Sequence, residues 1–234
     1  MVVGNGLIAK QFKKYNNNDD VIIFASGVSN SKETNAEAFE QEFNLIKSYL
    51  SKESLFVYFS TCSIYDNSLI ESNYVKHKLQ VEDFIKANFE RFLILRLPNM
   101  VGLTKNPHTF FNYFFNSINN GDSILIQKNA VRYFMDVEDL SIILDMIIED
   151  NVMINQLINI SYRNAITIPE AVSLFEEELN KKANVSLISS GNNYVVPDEY
   201  FYTLYSKVNS INVTDDYTRN CFRKYINLKK NEPQ

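Results

Sequence analysis

Apolar runs and amphipathic stretches alternate along the first half of the chain. Three short runs contain almost only apolar residues: "VIIFA" from residue 21, "LFVYFS" from residue 55 and "FLILRL" from residue 92. Such runs are typical of strands that are buried on both faces of a parallel sheet. The stretches between them, 35–52 and 74–89, place apolar residues at helical spacing. Strands that alternate with helices predict an α/β fold with a parallel sheet and helices on both of its faces.

The second half of the chain continues this alternation. The predicted elements are helices over 110–120, 137–150 and 215–226 and strands over 123–126 and 156–161. A further helix is predicted to begin at Thr167, because this residue can cap it, Pro169 suits its first turn and Glu170 completes a capping box. The tail from Gly191 is rich in tyrosine and asparagine and carries only the last of these helices.

Composition and charge narrow the class of protein. The chain has 234 residues, 45% of them hydrophobic, which is enough for one large domain or one domain with a small annex. The net charge of -5 does not favour nucleic-acid binding. No apolar run reaches the ~20 residues that span a membrane, and no secretory signal is present. A cytoplasmic protein without nucleic-acid or membrane partners is therefore expected.

Cysteine and histidine are scarce. Cys62 and Cys221 form no disulfide framework, and with His77 and His108 they give no metal-ligand spacing. We therefore expect no metal site.

A glycine turn follows the first apolar residues, in "VVGNGLIAKQF". Gly4, Gly6 and Ala9 fit the pattern G-x-G-x-x-A, in which the first glycine permits a tight turn and the second lets a pyrophosphate approach the backbone. The start of the following helix favours the negative charge. The pattern alone is weak, but its place at the first strand of an α/β chain favours a dinucleotide site.

The acid that usually completes such a site is missing. It ends the second strand about 20 residues further on and holds the adenine ribose. Here Ala25, Ser26 and Gly27 follow a strand at that distance, and no acid ends it.

A hydroxyl run and a Tyr/Lys pair come next, in "STCSIYD" from residue 60 and "YVKHK" from residue 74. Tyr74 and Lys78 share one face of a helix. A tyrosine phenol has a pKa of roughly 10, and a nearby ammonium lowers it, so the phenol can exchange a proton near neutral pH. A strand-end hydroxyl such as Thr61 can bond a substrate carbonyl. The alternative is an ordinary surface Tyr/Lys pair.

With these motifs the chain resembles the extended short-chain dehydrogenase/reductases, the branch rich in nucleotide-sugar epimerases, dehydratases and reductases. "FSTCSIYD" is similar to the family's SS-x-x-VYG, and "YVKHK" to its Y-x-x-x-K. "LRLPNMVG" resembles LR-x-x-N-x-x-G, and "VRYFMDVEDL" resembles VRDFIHVEDL. The segment 25–27 lies where the family has an Ala-Ala turn beside the dinucleotide. The resemblance implies a Rossmann-like, doubly wound parallel sheet with a small C-terminal substrate-binding region.

The resemblance also implies roles for individual residues. Thr61, Tyr74 and Lys78 would be catalytic. The implied cofactor contacts are Gly4, Gly6, Leu7, Ile8, Ala25, Ser26, Gly27, Tyr74, Lys78 and Pro98. The implied substrate contacts are Thr61, Cys62, Ser63, Asn99, His108 and Arg132, with Arg132 on the nucleotide diphosphate. Residues 1–102 and 124–162 would form the cofactor part, and residues 103–123 and 163–234 the smaller substrate part of one compact unit.

The chain also departs from the family pattern. The family's second and third strands are missing between Tyr15 and Val21, so a reduced strand number is expected and NAD cannot be distinguished from NADP. The stretch from Tyr65 to Tyr74 is short, which should reshape the sugar pocket. Cys62 and Ser63 stand where dehydratases of this group have Asp and Glu, which argues against 4,6-dehydration.

The leading hypothesis is an NAD(P)-dependent reductase of a nucleotide-linked 4-keto sugar, and a reductase favours NADP(H). The alternatives are an epimerase of the same family and a non-catalytic binding scaffold. Two residues remain open: Cys62 is either an acid/base thiol or a packed small residue, and His108 either an acid/base or a helix-start residue.

Two further expectations concern surfaces. His77 faces away from Tyr74, so we expect it at solvent or at a subunit contact. The resemblance implies a homodimer through two helices, with Phe39, Phe43, Leu79 and Phe84 available for the seam or for packing on the sheet.

Overall fold

The computed structural model describes residues 1–205, 208, 211 and 213–231. The strands are β1 (Val2–Val3), β2 (Val21–Phe24), β3 (Leu55–Thr61), β4 (Phe92–Leu97), β5 (Asn99–Val101), β6 (Ser123–Gln127), β7 (Val131–Arg132), β8 (Phe134–Asp136), β9 (Gln156–Asn159), β10 (Ile166–Thr167) and β11 (Asn184–Ile188). The α-helices are α1 (Ala36–Lys47), α2 (Asn73–Asn88), α3 (Phe110–Asn120), α4 (Val137–Glu149), α5 (Ile168–Leu179), α6 (Glu199–Tyr205) and α7 (Tyr217–Lys230). Two 3-10 helices span Ala9–Tyr15 and Cys62–Tyr65.

A five-stranded parallel sheet forms the centre of the molecule, in the order β1-β2-β3-β4-β9. The uninterrupted apolar sequence of β3 is explained by its place, since all seven of its residues are buried. α1 and α2 cover one face of the sheet, and the 3-10 helix Ala9–Tyr15, α4 and α6 cover the other. The predicted α/β fold, with a parallel sheet between layers of helices, is confirmed.

β1 lies at one edge of this sheet. Its residues Val2 and Val3 pair with Ile23 and Phe24 of β2, and the described residues place no strand on its other side. Residues 4–20 therefore lead back to β2 through the 3-10 helix and one polar turn. This arrangement agrees with the predicted loss of two strands between Tyr15 and Val21.

A second core lies beside the sheet and joins α3, α5 and α7. Its largest side chains are phenylalanines, among them Phe111, Phe175 and Phe222. β6 confirms the strand predicted over 123–126, but it pairs with β11 rather than with the main sheet. The helix predicted at Thr167 is also confirmed, with a complete capping box between Thr167 and Glu170.

Helix α7 docks through buried polar contacts as well as apolar ones. Lys224 Nζ lies 2.8 Å from Asp136 Oδ2, and the Tyr225 hydroxyl donates to Asp136 Oδ1 at 2.5 Å. The Tyr217 hydroxyl donates to Asp139. The last helix thus ties the second core to the end of β8 and the start of α4.

Two kinds of feature are absent from the part of the chain that the structure describes. No helix there is both long and apolar enough to cross a membrane. No group of three or more His, Cys, Asp or Glu side chains in that part of the chain is arranged to hold a metal ion.

Candidate active site

The carboxyl edge of the sheet collects most of the residues predicted to form the site. Thr61 ends β3, and the glycine loop (residues 4–8) and residues 25–27 follow β1 and β2. Tyr74 lies in the first turn of α2, and the first turn of a helix that follows a parallel strand begins at this edge. Open α/β sheets bind ligands in this position, outside the carboxyl ends of the strands.

The glycine loop has the backbone that a phosphate needs. Gly4 has a φ of 118°, and a Cβ at this position would lie 2.4 Å from the carbonyl oxygen of Ala25. Only glycine therefore fits between the ends of β1 and β2. A Cβ on Gly6 would meet nothing within 4 Å, so the space over this residue is open to a ligand.

The loop also packs against later parts of the chain. A Cβ on Gly102 would lie 2.6 Å from Leu7 Cδ1 and 2.7 Å from Val137 Cγ1, so Gly102 lets the loop approach the start of α4. Ile8 is half-buried against the main core. The helix that follows is a 3-10 helix with a kink at Phe12, not the α-helix of the usual fingerprint.

Thr61 and its neighbours form the end of β3. The Thr61 hydroxyl oxygen accepts a 3.0 Å bond from the Ser63 N–H, which caps the 3-10 helix Cys62–Tyr65. Ser63 is half-buried. Cys62 is buried, and its thiol donates to the carbonyl of Arg96 at 3.3 Å. Burial raises the pKa of this thiol far above its ordinary value, so Cys62 is a packing residue rather than an acid/base at neutral pH.

The Tyr/Lys pair lies in a nearly closed environment. Tyr74 is 8% exposed and Lys78 is 2% exposed. Lys78 Nζ is 5.9 Å from the centre of the Tyr74 ring. The ammonium also donates to Glu42 Oε1 at 3.0 Å and to the Tyr58 hydroxyl at 2.9 Å. The predicted pair therefore exists, but its lysine is also bound to a buried carboxylate.

Glu42 is the centre of a buried polar cluster. Tyr58 and Lys78 donate to its Oε1, and the Val28 N–H and His77 Nε2 lie 2.7 and 3.0 Å from its Oε2. Burial raises the pKa of the Glu42 carboxyl, but the charge of Lys78 and the bonds from His77, Tyr58 and Val28 outweigh burial and lower the pKa to about 2. We call Glu42, Tyr58, His77 and Lys78 the Glu42 cluster.

Of the two positions expected for His77, at solvent or at a subunit contact, the one at solvent is wrong. Its side chain is 7% exposed, because the ring turns toward Glu42 and lies beside Phe39, with 4.7 Å between the ring centres. A buried carboxylate on the facing helix provides the hydrogen-bond partner that keeps this polar ring inside.

A second buried ion pair supports β3 and β4 below the site. The Ser60 hydroxyl donates to Glu82 Oε1 at 2.5 Å, and Arg96 donates to both oxygens of Glu82. Arg96 also donates to the Tyr65 hydroxyl, which donates to Asn159. Arg96 and Ser60 are thus held in one structural network around the Glu82 carboxylate.

The residues predicted for the substrate are more dispersed. Arg132 Nη1 is 3.2 Å from Asp66 Oδ2, so this guanidinium already has a carboxylate partner. Asn99 donates to the Tyr133 carbonyl at 3.1 Å, and Pro98 is half-buried between β4 and β5. His108 is exposed on the loop before α3, near Glu33.

The tail contributes to the same side of the molecule. Tyr194 and Val196 pack with Cys62 and Tyr133, and the Tyr133 hydroxyl donates to the Tyr194 carbonyl. The tail therefore packs against the 3-10 helix that follows Thr61.

Two cavities lie away from the predicted site. One of about 200 Å³ lies between α4 and α7 and is lined by Asp136, Asp139 and Lys224. The other, of about 410 Å³, lies on α1 and α2 and is lined by Phe39, Phe43 and His77.

The residues fit part of a dinucleotide. The open space over Gly6 and the close approach at Gly4 suit a diphosphate, and Tyr74 and Lys78 lie at the same sheet edge. The adenine side fits less well, because β1 ends the sheet and the described residues place no strand beyond it to carry a ribose-binding acid.

Sequence reasoning missed three residues of the site: Glu42, Tyr58 and Glu82. Two of them left a trace in the sequence. Glu42 stands four residues before the buried Ile46, on the apolar stripe of α1, and Glu82 stands four residues after Lys78 on the buried face of α2. A carboxylate on a buried stripe needs a partner, and that requirement points to a buried ion pair.

Comparison with known proteins identifies the class. The profile of the NAD dependent epimerase/dehydratase family matches residues 5–161. The chain therefore belongs to this family. A search of curated protein sequences finds no significant match.

Solved structures of similar fold are nucleotide-sugar enzymes. UDP-glucuronic acid 4-epimerase from Bacillus cereus, solved with UDP-glucuronic acid and NAD, is 19% identical with a TM-score of 0.71, over 90% of this chain and 76% of that one. UDP-glucose 4-epimerase from Thermus thermophilus, solved with NAD, is 12% identical with a TM-score of 0.68, over 92% and 78%. dTDP-glucose 4,6-dehydratase from Bacillus anthracis, solved with NAD, is 17% identical with a TM-score of 0.67, over 91% and 73%. At these identities the likeness establishes the Rossmann-like fold.

The Glu42 cluster predicts a specific acid sensitivity. Because the pKa of Glu42 is lowered from its ordinary 4.5 to about 2 on folding, its ionised form stabilises the protein above pH 4.5. That contribution, about 3 kcal/mol, is lost as the pH falls from 4.5 toward 2. Glu42→Gln should be less stable at pH 7 and should lose less stability between pH 5 and pH 3 than the wild type. Urea unfolding at each pH measures both.

Glu40→Gln, which removes an exposed carboxylate from the same helix, is the control and should follow the wild type. Equal losses of stability on acidification in Glu42→Gln and the wild type would contradict the assigned role of Glu42.

Proposed function

We propose that this protein is an NAD(P)-dependent reductase that acts on a nucleotide-linked 4-keto sugar. The observation that carries the proposal is the Tyr74–Lys78 pair at the carboxyl edge of the sheet, with the Thr61 hydroxyl at the end of the neighbouring strand. The glycine loop lies at the same edge. Family membership supports a nicotinamide dinucleotide and a sugar-nucleotide substrate.

Each residue of the site has a task in this reaction. The bound cofactor would supply a hydride from C4 of its nicotinamide to the carbonyl carbon of the sugar. Tyr74 donates its phenolic proton to the carbonyl oxygen, and Thr61 donates a hydrogen bond that orients this oxygen. Lys78, held by Glu42 and Tyr58, would place its ammonium group beside the Tyr74 ring and bond the nicotinamide ribose.

Other residues would hold the two ligands. Gly4, Gly6, Leu7 and Ile8 would receive the cofactor diphosphate, and Ala25, Ser26, Gly27 and Pro98 would lie along the nicotinamide half. We assign NADP(H) as the preferred cofactor of a reductase. Asn99, Ser63 and His108 would contact the sugar nucleotide, and Arg132 its diphosphate, with its Asp66 partner shared or displaced. A cytoplasmic location suits such a substrate.

Epimerisation by the same site is the alternative. A reductase needs one acid/base, which Tyr74 provides, and epimerisation at C4 by removal and return of a hydride needs no more than that; a second acid/base is required only where a proton is removed from a sugar carbon. The two candidates for a second acid/base are poorly suited: Cys62 is buried with a raised thiol pKa, and His108 is exposed on a loop near Glu33. These features argue against epimerisation by proton removal from carbon, and they leave C4 epimerisation as the alternative to the reductase.

Tyr74→Phe should lose turnover on a panel of nucleotide 4-keto sugars. The change removes only the hydroxyl, so packing is kept while proton transfer, worth about 10²- to 10⁴-fold, is lost. Cofactor oxidation followed by the loss of reduced-nicotinamide absorbance measures the rate, and Tyr113→Phe, at an exposed tyrosine on α3, is the control. Unchanged turnover in Tyr74→Phe would falsify the proposed function.

A non-catalytic scaffold is favoured by one observation, the position of β1 at the edge of the sheet, which removes support for the adenine half of a cofactor. Calorimetry with NADH and NADPH separates the two hypotheses. We expect sub-millimolar binding to the wild type and none to Gly6→Leu, because the new side chain would fill the space of the diphosphate.

Gly6→Leu should not disturb the fold, because a Cβ at Gly6 meets nothing within 4 Å. The free variant should therefore keep the thermal stability of the wild type. Absence of dinucleotide binding to the wild type would favour the scaffold.

We also propose a homodimer through α1 and α2. Phe39 and Phe43 line the cavity of about 410 Å³ on this face, and the rings of Phe43 and Phe84 pack with 4.7 Å between their centres. A second copy would cover this apolar surface.

Light scattering after gel filtration should give a mass near twice 27.2 kDa for the wild type. Phe39→Glu should give a monomer, because the new charge would be buried in the seam. Tyr113→Glu, at an exposed aromatic position on α3, should stay a dimer. A monomeric wild type, or a dimeric Phe39→Glu, would argue against this interface.

A further inference from the structure

We propose that Glu42 is a positioning residue of the Tyr74–Lys78 pair, and that its charge sets the pH at which the pair loses its first proton. The proposal rests on the proposed function only for the role of the pair in catalysis. The geometry of the Glu42 cluster carries it.

Glu42 fixes the lysine ammonium in space. Lys78 Nζ donates one bond to Glu42 Oε1 at 3.0 Å and a second to the Tyr58 hydroxyl at 2.9 Å, and Tyr58 in turn donates to the same Oε1 at 2.7 Å. An ammonium has three N–H groups, so one remains for a ligand or a water. The closed triangle of Glu42, Tyr58 and Lys78 leaves the ammonium little freedom to move.

Gly27 is the second observation that links this cluster to the cofactor side. A Cβ on Gly27 would lie 2.7 Å from Glu42 Oε1 and 2.8 Å from Lys78 Nζ. The carboxylate and the ammonium therefore fill the space that a side chain would need. Gly27 lies in the segment that resembles the family's Ala-Ala turn. A glycine at this position leaves the space that the Glu42 carboxylate and the Lys78 ammonium occupy.

Titratable groups from four elements lie near the pair among the described residues. They are Glu42 of α1, Tyr58 of β3, Arg96 of β4, and His77 and Glu82 of α2 itself. Arg96 and Glu82 compensate each other at 2.5 Å. Lys78 and Glu42 likewise compensate each other, which leaves Tyr74 beside a neutral ion pair rather than beside an isolated positive charge.

Removing the negative charge of Glu42 should lower the pH at which its neighbours lose a proton. A carboxylate favours the protonated forms of both an ammonium and a phenol near it, so its loss makes either proton easier to remove. The two sites are coupled, and the first proton leaves the pair as a whole. The first titration midpoint of the pair must therefore fall when Glu42 becomes neutral, whichever residue releases the proton.

The test is a nuclear magnetic resonance titration of the full chain without added ligand. Tyrosine is labelled at Cζ and lysine at Cε, and the spectra of Tyr74→Phe and Lys78→Met identify the two signals. In Glu42→Gln the first midpoint of the pair should fall by about one pH unit or more. Glu40→Gln, on the same helix but exposed, should leave it unchanged.

Gly27→Ala is the second variant, for the case in which Glu42→Gln does not fold. It keeps every charge but inserts a methyl group where Glu42 and Lys78 meet, so it should separate them and lower the midpoint in the same direction. Midpoints equal to the wild type in the folded variants would overturn the proposal. A shifted midpoint together with full turnover of Tyr74→Phe would retain the positioning role of Glu42 and reject the proposed function.

Discussion

The buried ion pair between Glu42 and Lys78 is the interaction around which the candidate site is organised. It joins α1 to α2, and Glu42 also accepts hydrogen bonds from Tyr58 of β3 and from the Val28 N–H in the loop after β2. Burying two charges is costly unless each finds its full set of partners. Glu42 meets this condition with four hydrogen-bond partners, which offset the cost of burying its charge.

A second buried pair, Glu82 with Arg96, repeats the arrangement one helical turn further along α2. Tyr74, Lys78 and Glu82 follow each other at four-residue intervals, so one face of α2 carries an unbroken polar stripe against the sheet. A helix that buries a stripe of this kind can be seated in only one rotation, because any other rotation would leave charges without partners. The stripe thus sets the position of Tyr74 relative to the end of β3.

Local patterns predicted the fold well, and tertiary contacts account for what they missed. β2, β3 and β4 are runs of apolar residues long enough to identify, and the capping box of α5 marks where that helix begins. β7 and β10 have two residues each, too few to show any period. The Glu42–Lys78 contact joins positions 36 residues apart, so neither motif spacing nor periodicity reveals it. The solvent position expected for His77 is wrong for the same reason, since its partner lies on another helix.

The edge position of β1 has a consequence for the handedness of the connection between β1 and β2. The sheet order runs steadily from β1 to β4, yet the 3-10 helix after β1 packs on one face while α1 and α2 pack on the other. Connections that step in the same direction on opposite faces must have opposite hands. Because about 98% of crossovers between parallel strands are right-handed, we assign that hand to the connections through α1 and α2. The crossover from β1 to β2 is then left-handed. In the usual dinucleotide-binding fold, the strand that follows the first helix lies on the other side of β1. This shorter chain keeps the helix on the same face of the sheet but places the next strand on the opposite side of β1, which inverts the handedness of the first crossover.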